Sequence, residues 1–110
     1  MPHAIDIARL RHRLVLEAPV DTPDGAGGVS RMWQAEAELW GALEPVSASA
    51  RLVAEQQGAR VTHRIVLRHR PGITTAHRLS RGGRTFAIRS IYDPDERGRA
   101  LVIAAEEDTP

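Results

Sequence analysis

No cysteine occurs among the 110 residues, which excludes disulfides, cysteine-ligated zinc, iron–sulfur clusters and thiol nucleophiles together. A domain this small, without such staples, relies on its core or on partner subunits. Lysine is absent too, and all 15 basic residues are arginine. The planar arginine fork suits fixed carboxylate or phosphate partners, although a base-composition bias in the gene gives the same usage. Aromatics are scarce, with two tryptophans, one tyrosine and one phenylalanine. No run approaches the roughly 20 apolar residues that cross a bilayer. The opening MPHAIDIARLRHR has no uninterrupted apolar stretch of the secretory kind, so an intracellular protein without membrane partners is expected.

What is present fits one soluble globular domain: 42% hydrophobic and 26% charged residues in a chain with room for a single modest core. The formal charge of +1 conceals a strong asymmetry. Residues 1–50 carry four arginines against seven acids, 51–92 nine against one, and 93–110 two against six. The basic middle reads as a solvated face or protein interface, or else as a surface facing DNA phosphates. Its aromatics, Phe86 and Tyr92, are too few and too far apart for a base-stacking platform.

Residues 1–11 alternate Ile5, Ile7 and Leu10 with Asp6, Arg9 and Arg11, which suits a short helix or a docking arm. Period-2 alternation over 12–18, with Leu14 and Leu16 on one side, predicts a half-buried strand. Residues 21–30 hold Asp24, Gly25, Gly27 and Gly28 and read as a mobile loop. Trp33 and Trp40 lie in 31–46, where strand is preferred over helix; they supply core or intersubunit contact. Ser47 caps a helix over 48–57, whose stripe of Ala48, Leu52, Val53 and Gln56 would lean on a sheet.

Residues 61–70 form the best strand. Ile65 and Leu67 lie on one face with His63 and His69, and Arg64, Arg68 and Arg70 lie on the other. Short strands follow at 75–80, 84–91 and 99–105, with turns at Pro71–Gly72, Gly82–Gly83 and Asp93–Gly98 and a frayed tail at 107–110. Five to seven strands with glycine and proline turns and one inserted helix predict a mainly β chain, a small closed antiparallel barrel over 12–106 behind an N-terminal arm.

The chemistry of catalysis is missing. His63 and His69 would lie roughly 20 Å apart along a strand, too far to share a metal. The serines lack a nucleophile-elbow context, Asp93, Asp95 and Glu96 fit a turn better than a calcium loop, and the 25–28 glycines are followed by no phosphate-loop lysine. Neither cofactor nor enzyme activity is expected. The alternative to a structural role is a free-standing nucleic-acid-binding barrel with an arginine-rich face.

The pattern as a whole resembles the phage head–tail joining family, the head-closure or stopper proteins of tailed phages and gene transfer particles. The likeness covers about residues 10–107. It is carried by Trp40-Gly41-Ala42-Leu43-Glu44-Pro45, Ala54-Glu55-Gln56, Thr62-His63-Arg64-Ile65, Arg68-His69-Arg70-Pro71-Gly72-Ile73, Arg84-Thr85-Phe86-Ala87-Ile88 and Tyr92-Asp93-Pro94-Asp95-Glu96-Arg97. The resemblance implies a structural virion protein at the particle neck, assembled in the host cytoplasm as a homo-oligomeric ring, commonly of twelve copies. It would have the portal and its adaptor above and the tail or tail-terminator protein below, with non-specific contact to packaged DNA. In that setting Arg64, Arg68, Arg70, Arg84, Arg89, Trp33 and Trp40 are candidates to face a neighbour or DNA. The 21–30 loop is a candidate to project into the channel or toward a neighbouring ring.

Overall fold

The structure, a computed structural model, describes residues 9–108. Residues 1–8 of the arm expected over 1–11 and the last two residues of the expected tail lie outside the described residues. Six strands and one helix follow in the order β1 (His12–Pro23), β2 (Val29–Pro45), α1 (Ala48–Gln56), β3 (His63–Arg68), β4 (Arg78–Arg81), β5 (Arg84–Tyr92) and β6 (Ala100–Asp108). All pairings are antiparallel.

Alternation decides which side chains go inside. Leu14 and Leu16 of β1, Ile65 and Leu67 of β3, Leu79 of β4, Phe86 and Ile88 of β5, and Ile103 and Ala105 of β6 form one buried cluster. Burying each large side chain contributes about 1.5–3 kcal/mol. Gly41 of β2 faces the same interior: a Cβ there would sit 2.8 Å from both Leu14 Cδ1 and Leu67 Cδ2. The missing side chain is what lets β1 and β3 close over β2. In β6, Ala100 to Ile103 are buried at consecutive positions, so both faces of that strand are covered there.

The expectation of a small closed antiparallel barrel over 12–106 is corrected in extent. The pairing order β1-β2-β3-β6-β5-β4 does return on itself. The seam between β1 and β4 is only three pairs long, Val15 with Ser80, Leu16 with Leu79 and Glu17 with Arg78. Beyond Glu17 the β1–β2 hairpin leaves this six-stranded body as a two-stranded ribbon of six further pairs, from Ala18–Gln34 to Pro23–Val29. At 3.3–3.4 Å per residue the ribbon reaches roughly 20 Å. It accounts for a longest extent of 53 Å against 32 and 26 Å.

The ribbon also corrects the loop expected over 21–30, which contracts to the turn between Pro23 and Val29. The Asp24 carboxylate accepts from the amides of Ala26 at 2.8 Å and Gly28 at 3.0 Å, and the Asp24 amide donates to the Gly28 carbonyl at 3.1 Å. Gly25 and Gly27 take φ of 81° and 84°, which side chains resist. Cross-strand pairing, Asp21 with Arg31 and Thr22 with Ser30, makes strand of a segment whose glycines and prolines disfavour it.

Three smaller expectations shift as well. The 61–70 strand ends at Arg68, leaving His69 and Arg70 in the connection, and β6 continues through Glu107 and Asp108, which are paired with β5 rather than frayed. The helix forms where expected, with the Ser47 hydroxyl accepting from the Ala50 amide, but no residue of α1 is buried. Leu52 and Val53 are 56% and 52% exposed, so the apolar stripe does not lean on the sheet. Arg51 and Glu55 instead line an open cavity of about 530 Å³ together with Gly58–Thr62 and Glu106.

Candidate docking surfaces

Without a catalytic constellation the functional question is which surfaces the fold presents. Among the described residues no group of three histidine or acidic side chains converges to hold a metal. What the body offers is an array of arginines, two tryptophans and the ribbon.

Seven arginines are seen to pair with carboxylates within the fold. Arg9 and Arg64 meet Glu44 at 2.8 and 3.3 Å, Arg31 meets Asp21 at 2.7 Å, Arg78 meets Glu17 at 2.7 Å and Arg84 meets Glu107 at 2.8 Å. Arg89 pairs with Glu106 and Arg99 with Asp95. The pairs leave their mark on ionisation. The Arg84 hydrogen bonds hold Glu107 below the ordinary carboxylate range, and Arg31 and Arg99 do the same for Asp21 and Asp95. These pairs are surface ion pairs, each contributing little to stability, and four of them, at Arg64, Arg78, Arg84 and Arg89, fall in the basic middle.

Of the candidate arginines, therefore, Arg64, Arg84 and Arg89 have carboxylate partners. Arg68 and Arg70 have none among the described residues. Arg89 reaches Glu106 because β5 carries an irregularity between Ile88 and Ser90 that takes it out of the ladder with β6. The five do not make one continuous cationic stripe.

Trp40 is 52% exposed on the outer face of β2, and the Arg13 guanidinium lies 5.1 Å from its ring centroid. Arg13 and Trp40 are direct cross-strand partners. One position along, Gly41 pairs with Leu67, which brings Arg68 of β3 beside Trp40 on the same outer face. Trp33 is half-buried, and Arg78 stacks 4.3 Å over it. It walls a groove of about 380 Å³ between the ribbon and the outer face of β4 and β5. Neither tryptophan belongs to the buried cluster.

Trp33 and Trp40 are seven positions apart, an odd spacing that puts them on opposite faces of a regular strand. They share the outer face because Leu16 pairs with Ala37 while Glu17 pairs with Ala35, which leaves Glu36 as an extra residue, a bulge that inverts the alternation of β2. The displaced Glu36 carboxylate meets His77 Nε2 at 3.0 Å.

The ribbon contributes a surface that the sequence reading passed over. Val20 and Met32 are cross-strand partners on the face opposite Trp33, and Met32 is 66% exposed; Val29 next to the turn is exposed too. At the very tip, the amides of Ala26 and Gly28 hold the Asp24 carboxyl below its ordinary range, fixing a negative charge there. The available signal was the placement of Val20 and Met32 on either side of a glycine-rich turn, which marks a hairpin with an apolar pair.

Comparison with known proteins now bears on this geometry. None of the curated proteins matches the chain. Among solved structures, a chain from the virion of a native gene transfer agent particle is 30% identical, with a TM-score of 0.66, and the match covers 91% of this chain and 96% of that one. The solution structure of a protein from Shigella flexneri 2a is 26% identical with a TM-score of 0.73, covering 96% and 98%. The model of the family described as phage head completion protein matches residues 5–108. Across nearly its whole length, then, the chain belongs to the phage head completion protein family.

Proposed function

We propose that this protein is a structural component of the head–tail connector of a phage or phage-like particle. It completes the filled head by closing the DNA exit channel and presents the surface on which the tail docks. The observation that carries this reading is the family match over residues 5–108, supported by the likeness to a chain of a gene transfer agent virion. Trp40, Met32, Leu52 and Val53 stand exposed, apolar surface that a partner in such an assembly would cover.

In this reading the protein works at the particle neck as a homo-oligomeric ring, twelve copies in the commonest arrangement, with the portal and its adaptor on one side and the tail or its terminator on the other. Contact with packaged DNA is electrostatic and non-specific, arginine against phosphate. The ribbon, the part of the chain farthest from the body, reaches toward a neighbour or the channel.

The deciding experiment removes the protein from cells that produce the particle. The expected result is DNA-filled heads without tails that lose their DNA, rescued by supplying the protein in trans. Normal yields of tailed, filled particles in its absence would overturn the assignment.

A further inference from the structure

We propose that the ribbon of one copy, through Val20, Met32 and Asp24, docks on the outer-face patch of Trp40, Arg13, Arg68 and Arg70 of the next copy. The inference rests on the ring reading above and names the surfaces that would build the ring.

The two surfaces are complementary in both of their chemistries. The ribbon has an exposed apolar centre, the Val20–Met32 cross-strand pair midway along one face, and a carboxylate fixed at its end by the turn. The patch has an exposed apolar centre, Trp40, with Arg13 against its ring, Arg68 beside it and Arg70 two residues further on. While seven other arginines meet carboxylates inside the fold, Arg13, Arg68 and Arg70 meet none among the described residues. Arg51, Arg60, Arg81 and Arg97 also meet no carboxylate among the described residues, but Arg13 and Arg68 are the two that flank the exposed Trp40. Residues 17–38 carry five acids, of which Glu17, Asp21 and Glu36 are already met by Arg78, Arg31 and His77, and residues 60–70 carry four arginines, of which Arg64 is met by Glu44. Tryptophan and arginine at the centre of a patch are the residue types on which protein contacts most often depend.

Geometry makes the contact intermolecular. The ribbon runs outward for six pairs beyond the body, so its tip is carried away from the Trp40 patch of its own chain. Ribbon and patch are different surfaces, so the contact is head-to-tail, the type that closes into a ring when the rotation per subunit permits.

The absence of native cysteine makes the test direct. Particles assembled with the double variant Met32→Cys/Arg68→Cys, and separately with Val20→Cys/Arg70→Cys, are oxidised and run on a denaturing gel. A ladder of covalent multimers from a double variant, with no ladder from its single variants, is the expected result. Trp40→Ala should weaken association of the copies about 30-fold or more, with Trp40→Phe restoring most of it. Protein present in tailed particles without cross-links from either pair would overturn the docking and leave the connector role standing. A dimer from Met32→Cys alone would overturn it in favour of a symmetric ribbon-to-ribbon contact. Absence of the wild-type protein from purified particles would remove the connector role and the docking with it.

Discussion

The imidazole of His63 meets the ring of Phe86 edge to face, with centroids 5.2 Å apart and planes at 79°. Phe86 is fully buried, and His63 is the buried polar residue at the start of β3. Its Nδ1 lies 2.9 Å from the Thr62 hydroxyl, and Arg84 Nη2 is 3.5 Å from Nε2. Burial, the strongest influence, pushes His63 below its ordinary value against the pull of Glu107, and Arg84 and Arg51 push the same way.

A pH dependence follows from that direction. The unfolded chain takes up a proton on this histidine at about pH 6.5, and the folded chain does so only at lower pH. Stability is therefore complete above the unfolded value and declines as the pH falls from there toward the folded one. Thermal unfolding between pH 7.5 and 5.5 should show a falling Tm, and His63→Gln should flatten that slope. An equal slope in both proteins would show that His63 is not the group responsible.

Phe86→Ala should cost about 3–5 kcal/mol, because the emptied space lies among Leu79, Ile88 and Ile103 in a core too small to collapse around it. Urea unfolding of the variant, compared at equal m-value, gives the number directly.

Gly41→Ala tests the opposite defect. The added methyl would lie 2.8 Å from two leucine methyls and 3.2 Å from the Val66 carbonyl oxygen, so the body would have to spread. A destabilisation of about 1–3 kcal/mol is expected, and a neutral result would mean that Leu14 and Leu67 move aside freely.

Much of the body could be read from the chain. The alternation of Leu14 and Leu16, of Ile65 and Leu67, and of Phe86 and Ile88 named the interior correctly, because a strand buried on one side must repeat every second residue. The ribbon was hidden for a different reason. Residues 21–30 have a loop's composition, and what makes most of them strand is partnership, Asp21 with Arg31 and Thr22 with Ser30, which no single segment displays. The docking surfaces were legible only in part. Periodicity placed Arg64 and Arg68 on the outer face of β3, but not that Glu44 would claim Arg64 and leave Arg68 without a carboxylate. That sorting depends on register between strands twenty residues apart. The helix was found by its cap and its spacing, yet its apolar stripe faces outward, because orientation is set by the connections at Val46 and Ala59 rather than by the stripe itself.

At the ribbon tip, Asp24→Ala removes the acceptor for two backbone amides without touching the core. Limited proteolysis should cut the variant faster within 24–28, while the thermal midpoint of the body stays where it was. Unchanged cleavage would show that the glycines alone hold the turn.

Glu96 occupies the left-handed region with φ of 57°, held there by the Asp93 carboxylate, which accepts from the amides of Glu96 at 2.9 Å and Gly98 at 2.8 Å. Glu96→Gly should relieve a backbone cost of about 1 kcal/mol and raise stability by no more than that. A loss on substitution would mean that the Glu96 side chain makes contacts that outweigh the strain.

The extra residue at Glu36 has a consequence that reaches beyond its own position. On the body side of it, odd-numbered residues of β2 point inward; on the ribbon side, even-numbered ones take over. One residue thus acts as a change of phase for the seven that precede it: were Glu36 paired in the ladder instead of set aside, half a strand would turn upside down with no side chain replaced. Trp33 and Arg31 would trade sides with Met32 and Gln34, the Arg78 stack would lose its ring, and the apolar pair of the ribbon would be divided. Where the strand sets one residue aside is as much a part of the chain's surface chemistry as the residues written along it.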